Sequence, residues 1–180
     1  MVFYINKTKI IIQYSFLLII AFSLLINNKN ILYVVLFSSL HESAHILSLI
    51  LFHQTPEEIT FAFYGIGLKG DYSLSFYKEL VFLLIGALLN LLLAFFGVFR
   101  EINYSLAIIN LLPIYPLDGG RALKLILNKV FSLDFSDRLF RWVSVLIILS
   151  LIAYSVYNKN YSLILIVIYI LIFSFNNSFE

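Results

Sequence analysis

Apolar residues run in long blocks separated by short polar stretches. Six blocks stand out, at about 10–26, 31–52, 80–99, 102–117, 142–157 and 160–175. A helix that crosses the hydrocarbon core of a bilayer needs about 20 such residues, or about 17 at the short end. Residues 80–99 and 160–179 each form twenty positions without a charge. Block 102–117 is shorter and contains Pro113 and Pro116. Proline removes a backbone donor, and a helix broken at membrane depth is tolerated only where protein buries it or it lines a watery cavity. Block 10–26 follows Lys7 and Lys9, as the core of a signal peptide would. Its small-x-small triplet, Ala21-Phe22-Ser23, lies inside the run, so a retained first span is expected.

Two connections depart from this pattern. Between 53 and 79, the β-branched and aromatic stretch Ile59–Tyr64 is followed by Gly65, Gly67 and Gly70. That composition predicts a short strand or hairpin dipping into the membrane surface. Between 118 and 141, residues 121–130 place Arg121, Lys124 and Asn128 on one side, with Leu123, Leu127 and Val130 largely on another. This predicts an amphipathic helix on the membrane interface. The expected fold is an all-α polytopic membrane protein. It has about six transmembrane helices and a membrane-associated β-hairpin between the second and third. A single domain covers 1–180, with its core at about 31–130 and accessory spans at 10–26, 142–157 and 160–175.

Composition agrees. The chain is 62% hydrophobic and 12% charged, with a mean hydropathy of +0.98. A water-soluble domain of this length could not hide so much apolar surface. The net charge of +2 gives no basis for nucleic-acid binding, and the absence of cysteine excludes disulfides, thiolate metal sites and a cysteine nucleophile. With the N-terminus in the cytoplasm, nine of the twelve Lys and Arg residues fall on the cytoplasmic side. The positive-inside rule then predicts both termini inside.

Of the ten acidic residues, only Glu42 and Asp118 fall inside a predicted span or at its cytoplasmic end. Placing an ionised group in hydrocarbon costs ~2.5 kcal/mol or more, so such a group marks function or a paired site. Glu42 belongs to His41-Glu42-Ser43-Ala44-His45. Positions i and i+4 share a helix face, so His41 and His45 can bind one zinc ion together. Glu42 would then act on a metal-bound water. The plainer alternative is three residues hydrogen-bonded to neighbouring helices. It is weakened because two of only three histidines fall at the required spacing within a span.

Zinc needs a third protein ligand. His53 lies about 18 Å from His41 along a continuous helix, too far to join it. Asp118 sits at the end of the proline-broken block, before Gly119-Gly120. It is either a ligand or the N-cap of the following helix. Counting along the second block puts the histidines inside the membrane, on its cytoplasmic half. Asn90 and Asn110 are either interhelical hydrogen-bonding groups or contacts to a substrate backbone. Gly86 and Ala87 are small residues that permit close helix packing.

Three pieces of this sequence resemble the site-2 protease family of intramembrane metalloproteases (peptidase family M50). They are His41-Glu42-Ser43-Ala44-His45, Gly86-Ala87-Leu88-Leu89-Asn90, and the run from Asn110 through Pro113, Pro116, Asp118, Gly119 and Gly120 to Arg121. The resemblance implies one Zn2+ ion held by His41, His45 and Asp118, with Glu42 activating water. It implies a membrane-protein substrate cut in or near its transmembrane segment, as in regulated intramembrane proteolysis. Inhibitory or regulatory membrane partners are also implied. The stage IV sporulation protein FB branch is the most similar. The sequence to Glu180 carries neither that branch's CBS domain nor a PDZ insertion, and Ala87 replaces a proline frequent in the family. A metal-dependent transporter, or an inactive relative that sequesters membrane partners, are the alternatives.

Overall fold

The computed structural model describes residues 1–5, 8–26, 29–62, 65–70 and 72–159. The expected span at 160–175 lies outside the described residues. The chain divides into two compact units, one reaching from Met1 to Ile108 and the other beginning at Ile109.

The first unit opens with two strands, β1 (Val2–Ile5) and β2 (Thr8–Ile12), followed by helices α1 (Tyr14–Leu25) and α2 (Lys29–Leu51). Strands β3 (Glu58–Ala62) and β4 (Gly65–Lys69) come next, then α3 (Phe76–Phe95) and α4 (Arg100–Leu111), whose last residues belong to the second unit. The expected hairpin is present as β3 and β4, paired antiparallel. It is half of a larger element. β2 pairs antiparallel with β1 and parallel with β3, giving a four-stranded sheet in the order β1-β2-β3-β4. The all-α expectation is therefore corrected: the fold is mostly helical with a small sheet.

The sheet also corrects the first apolar block. Residues 8–12 are extended, so α1 holds only 12 residues, about 18 Å of helix against a hydrocarbon core of about 30 Å. Ile10, Ile11 and Ile12 are β-branched and pair with Ile59, Thr60 and Phe61. That pairing outweighs their contribution to a helical hydropathy run. Lys9 Nζ lies 3.2 Å from Glu58 Oε2 across the same ladder.

Among the described residues, three helices are long and apolar enough to cross a membrane: α2, α3 and α6 (Leu133–Tyr157). Their outward positions are apolar. Leu36, Leu47, Leu51, Leu92, Phe95, Leu146 and Val156 are all more than half exposed. Such surface belongs against lipid rather than water.

Two ends in the first unit share one closing device. At the end of α2, His53 has φ 59°, its N–H donates to Ile50 O at 3.0 Å, and Gln54 N–H donates to Leu49 O at 2.9 Å. At the end of α3, Gly97 has φ +76°, its N–H donates to Ala94 O at 3.1 Å, and Val98 N–H donates to Leu93 O at 2.9 Å. Both are Schellman closures, with the left-handed residue just past the helix. Tyr33 and Phe37 of α2 stack on Phe99 in the turn after α3, with ring centroids at 4.1 and 5.3 Å. This fixes α2 against α3 one turn before His41.

In the second unit, α4 ends at Leu111 and the chain runs without helix through Pro113 and a cis Tyr115-Pro116 bond. It then enters α5 (Asp118–Val130), which packs against α6. Ser144 Oγ of α6 donates to Pro113 O at 3.1 Å. The expected amphipathic helix over 121–130 is present as most of α5. The fifth block begins as helix at Leu133, nine residues before its apolar run.

Candidate metal centre

His41 and His45 are the thirteenth and seventeenth of the 23 residues of α2, near its middle. They are 2% and 4% exposed. One helical turn apart, their rings converge edge to face, and the two Nε2 atoms are 3.2 Å apart. The far side of the His45 ring is fixed by α3, with Nδ1 2.6 Å from Phe82 O. A carbonyl only accepts, so Nδ1 carries the proton, and Nε2 of the neutral ring keeps its lone pair. A carbonyl behind the ring also orients it, as partners behind metal-binding imidazoles commonly do.

Glu42 follows His41 on α2 and is half-buried. Asn90 lies on α3, one turn beyond Gly86, and is fully buried. Neither its amide nitrogen nor its amide oxygen has a hydrogen-bond partner among the described residues. Buried amides are almost always paired, so Asn90 is an exception to that rule on the interior face of α3. Asn110 stands near the end of α4, half-buried.

Asp118 is the first residue of α5, and Leu117 is the N-cap. The reading of Asp118 as a cap is therefore replaced: its carboxylate sits in the first turn, where the helix dipole favours negative charge. Gly119 and Gly120 hold this turn close to the preceding loop. A Cβ on Gly119 would strike the carbonyl of Leu111, and one on Gly120 the carbonyl of Ile114. Both obstacles are backbone and cannot swing away.

His41 and His45 offer two imidazole nitrogens from α2 in the first unit, and Asp118 offers a carboxylate from the first turn of α5 in the second. Two imidazoles and a carboxylate are a donor set that suits zinc. The histidine pair also has the right span. Zinc–nitrogen bonds of about 2.0–2.1 Å at a tetrahedral angle separate two nitrogens by about 3.3 Å. His53 is exposed and closes the end of α2, outside this group. Sequence reasoning missed the Phe82 carbonyl, for which no side-chain signal exists.

No curated protein matches the sequence. The model of Peptidase family M50 matches residues 69–154. That stretch contains Gly86, Asn90, Asn110 and Asp118, and begins after the His41–His45 motif. The Site-2 Protease from Methanocaldococcus jannaschii has a similar structure, with a TM-score of 0.66 and 22% identity, over 98% of this chain and 93% of that one. The chain thus shares the fold of a site-2 protease, and just under half of it fits a peptidase family model.

Proposed function

We propose that the chain is a zinc metalloprotease of the site-2 type, which hydrolyses a peptide bond in or beside the membrane segment of another membrane protein. The observation that carries this reading is the buried histidine pair midway along a membrane-length helix, with Nε2 atoms 3.2 Å apart. The similar fold and the family match at 69–154 support it.

A bound zinc ion would supply a Lewis acid and bring a coordinated water to a pKa of about 7. His41, His45 and Asp118 are its ligands in this proposal. Glu42 takes the proton of the attacking water on its carboxylate and passes it to the leaving amine. Asn90 and Asn110 hydrogen-bond the substrate backbone. A helical substrate hides its carbonyls in its own hydrogen bonds and must unwind before attack. β4 is an edge of the sheet and can hold the unwound segment as an added strand.

The bias of Lys and Arg supports cytoplasmic termini and a site in the cytoplasmic half of the bilayer. The resemblance to the sporulation branch favours a membrane-tethered transcription-factor precursor as substrate, released by regulated intramembrane proteolysis.

The test is Glu42→Gln, assayed with membrane-protein substrates in detergent or liposomes. The expected result is bound zinc as in the wild type and cleavage reduced by about 10²-fold or more. Cleavage at the wild-type rate would overturn the role given to Glu42.

A further inference from the structure

Gly86 lies one turn beyond Phe82 on α3, on the face that meets the histidines. A Cβ built there would stand 2.5 Å from His41 Nε2 and 2.5 Å from His45 Nε2. Carbon and nitrogen in contact keep about 3.5 Å apart. The rings have little room to give way, being 2% and 4% exposed, and His45 is tied to Phe82 O at 2.6 Å. Gly86 is fully packed and has no unusual backbone angle among the described residues. Its lack of a side chain is therefore explained by neither a turn nor a strained φ.

The same distances locate the missing methyl relative to an ion. The two Nε2 atoms are 3.2 Å apart. An ion about 2.0–2.1 Å from each would lie within about 3.2 Å of that carbon, whichever side of the pair it occupied. On the near side of the pair a methyl at this place would overlap the ion, and on the far side it would press on the two nitrogens that hold it.

We propose that Gly86 is a positioning residue of the metal site: its bare backbone reserves the volume in which His41 and His45 share an ion. The inference rests on reading the histidines as ligands. It assigns α3 two tasks one turn apart. Phe82 O sets the tautomer and direction of His45, and Gly86 keeps clear the space toward which Nε2 points. A methyl here would strike the two imidazoles even without an ion, so the requirement for glycine comes from the histidine pair itself and not from helix packing elsewhere along α3.

Two measurements on the full chain in detergent test this. The first is zinc content after purification with added ZnSO4, for wild type, Gly86→Ala and the lipid-facing control Leu88→Ala. The expected result is wild-type zinc in Leu88→Ala and at least a tenfold loss in Gly86→Ala. Full zinc in Gly86→Ala overturns the proposal. The second is a thermal-unfolding cycle without metal, which remains informative if Gly86→Ala folds poorly. Gly86→Ala is placed in the wild type and in a His41→Ala/His45→Ala background. If the methyl collides with the imidazoles, its cost disappears in the second background. An equal cost in both backgrounds places the strain in helix packing and overturns the proposal. If the wild type itself binds no zinc while the cycle shows the collision, the protease reading fails and the steric relation stands.

Discussion

At the scale of single residues, Glu58 offers a test that does not involve the metal. The Lys9 ammonium hydrogen-bonds its carboxylate and holds the pKa below the ordinary value of 4.5, against a smaller opposing effect of burial. A lowered folded pKa means the pair contributes stability above the unfolded value and loses it as pH falls through the folded one. Lys9→Met should therefore lower the unfolding temperature at neutral pH, and the difference should shrink in acid as pH falls through the lowered folded pKa of Glu58. A deficit of equal size at both pH values would assign the effect to packing of the lysine stem. The histidine pair and Glu42 were legible in the sequence because helix geometry converts a spacing of four into one shared face. Asp118 was legible as a candidate, and that it is not the N-cap needed the observed start of α5. Gly86 was read only as a packing residue, since the volume it leaves is defined by atoms on another helix.

At the scale of elements, the helices of membrane length were visible as apolar runs, and the break at Pro113 and Pro116 ended α4 as proline must. The sheet was half visible. β3 and β4 carry glycine and β-branched signals, whereas β2 is a short apolar run continuous with α1, and hydropathy cannot divide the two. The start of α6 was missed because Asp134, Asp137, Arg138 and Arg141 hide a helix from a hydropathy scan. The completed sheet also narrows the proposal about substrate. β3 is paired on both sides and cannot accept a further strand, while β4 is an edge. Successive residues of a strand turn their amides to alternate sides. One of Ile66→Pro and Gly67→Pro should thus remove an outward donor and reduce cleavage several-fold with zinc retained. If both variants fold, keep zinc and cleave a membrane-embedded substrate at the wild-type rate, strand addition at β4 is wrong.

At the scale of the whole molecule, the bilayer explains what would otherwise be an inverted protein. Leucine, valine and phenylalanine face outward on α2, α3 and α6, while His41, His45 and Asn90 are among the most buried side chains. Polar groups inside a membrane protein are costly and are retained where they do chemistry. The central claim is that His41, His45 and Asp118 together hold one zinc ion. Elemental analysis of the detergent-purified protein tests it most directly, comparing the wild type with His41→Ala, His45→Ala and Asp118→Ala after equilibration in a weak zinc buffer. The account predicts about one zinc per wild-type chain, with at least a tenfold loss of affinity in each variant. A wild-type chain without zinc, or an Asp118→Ala variant that holds it as tightly as the wild type, would contradict the three-ligand site.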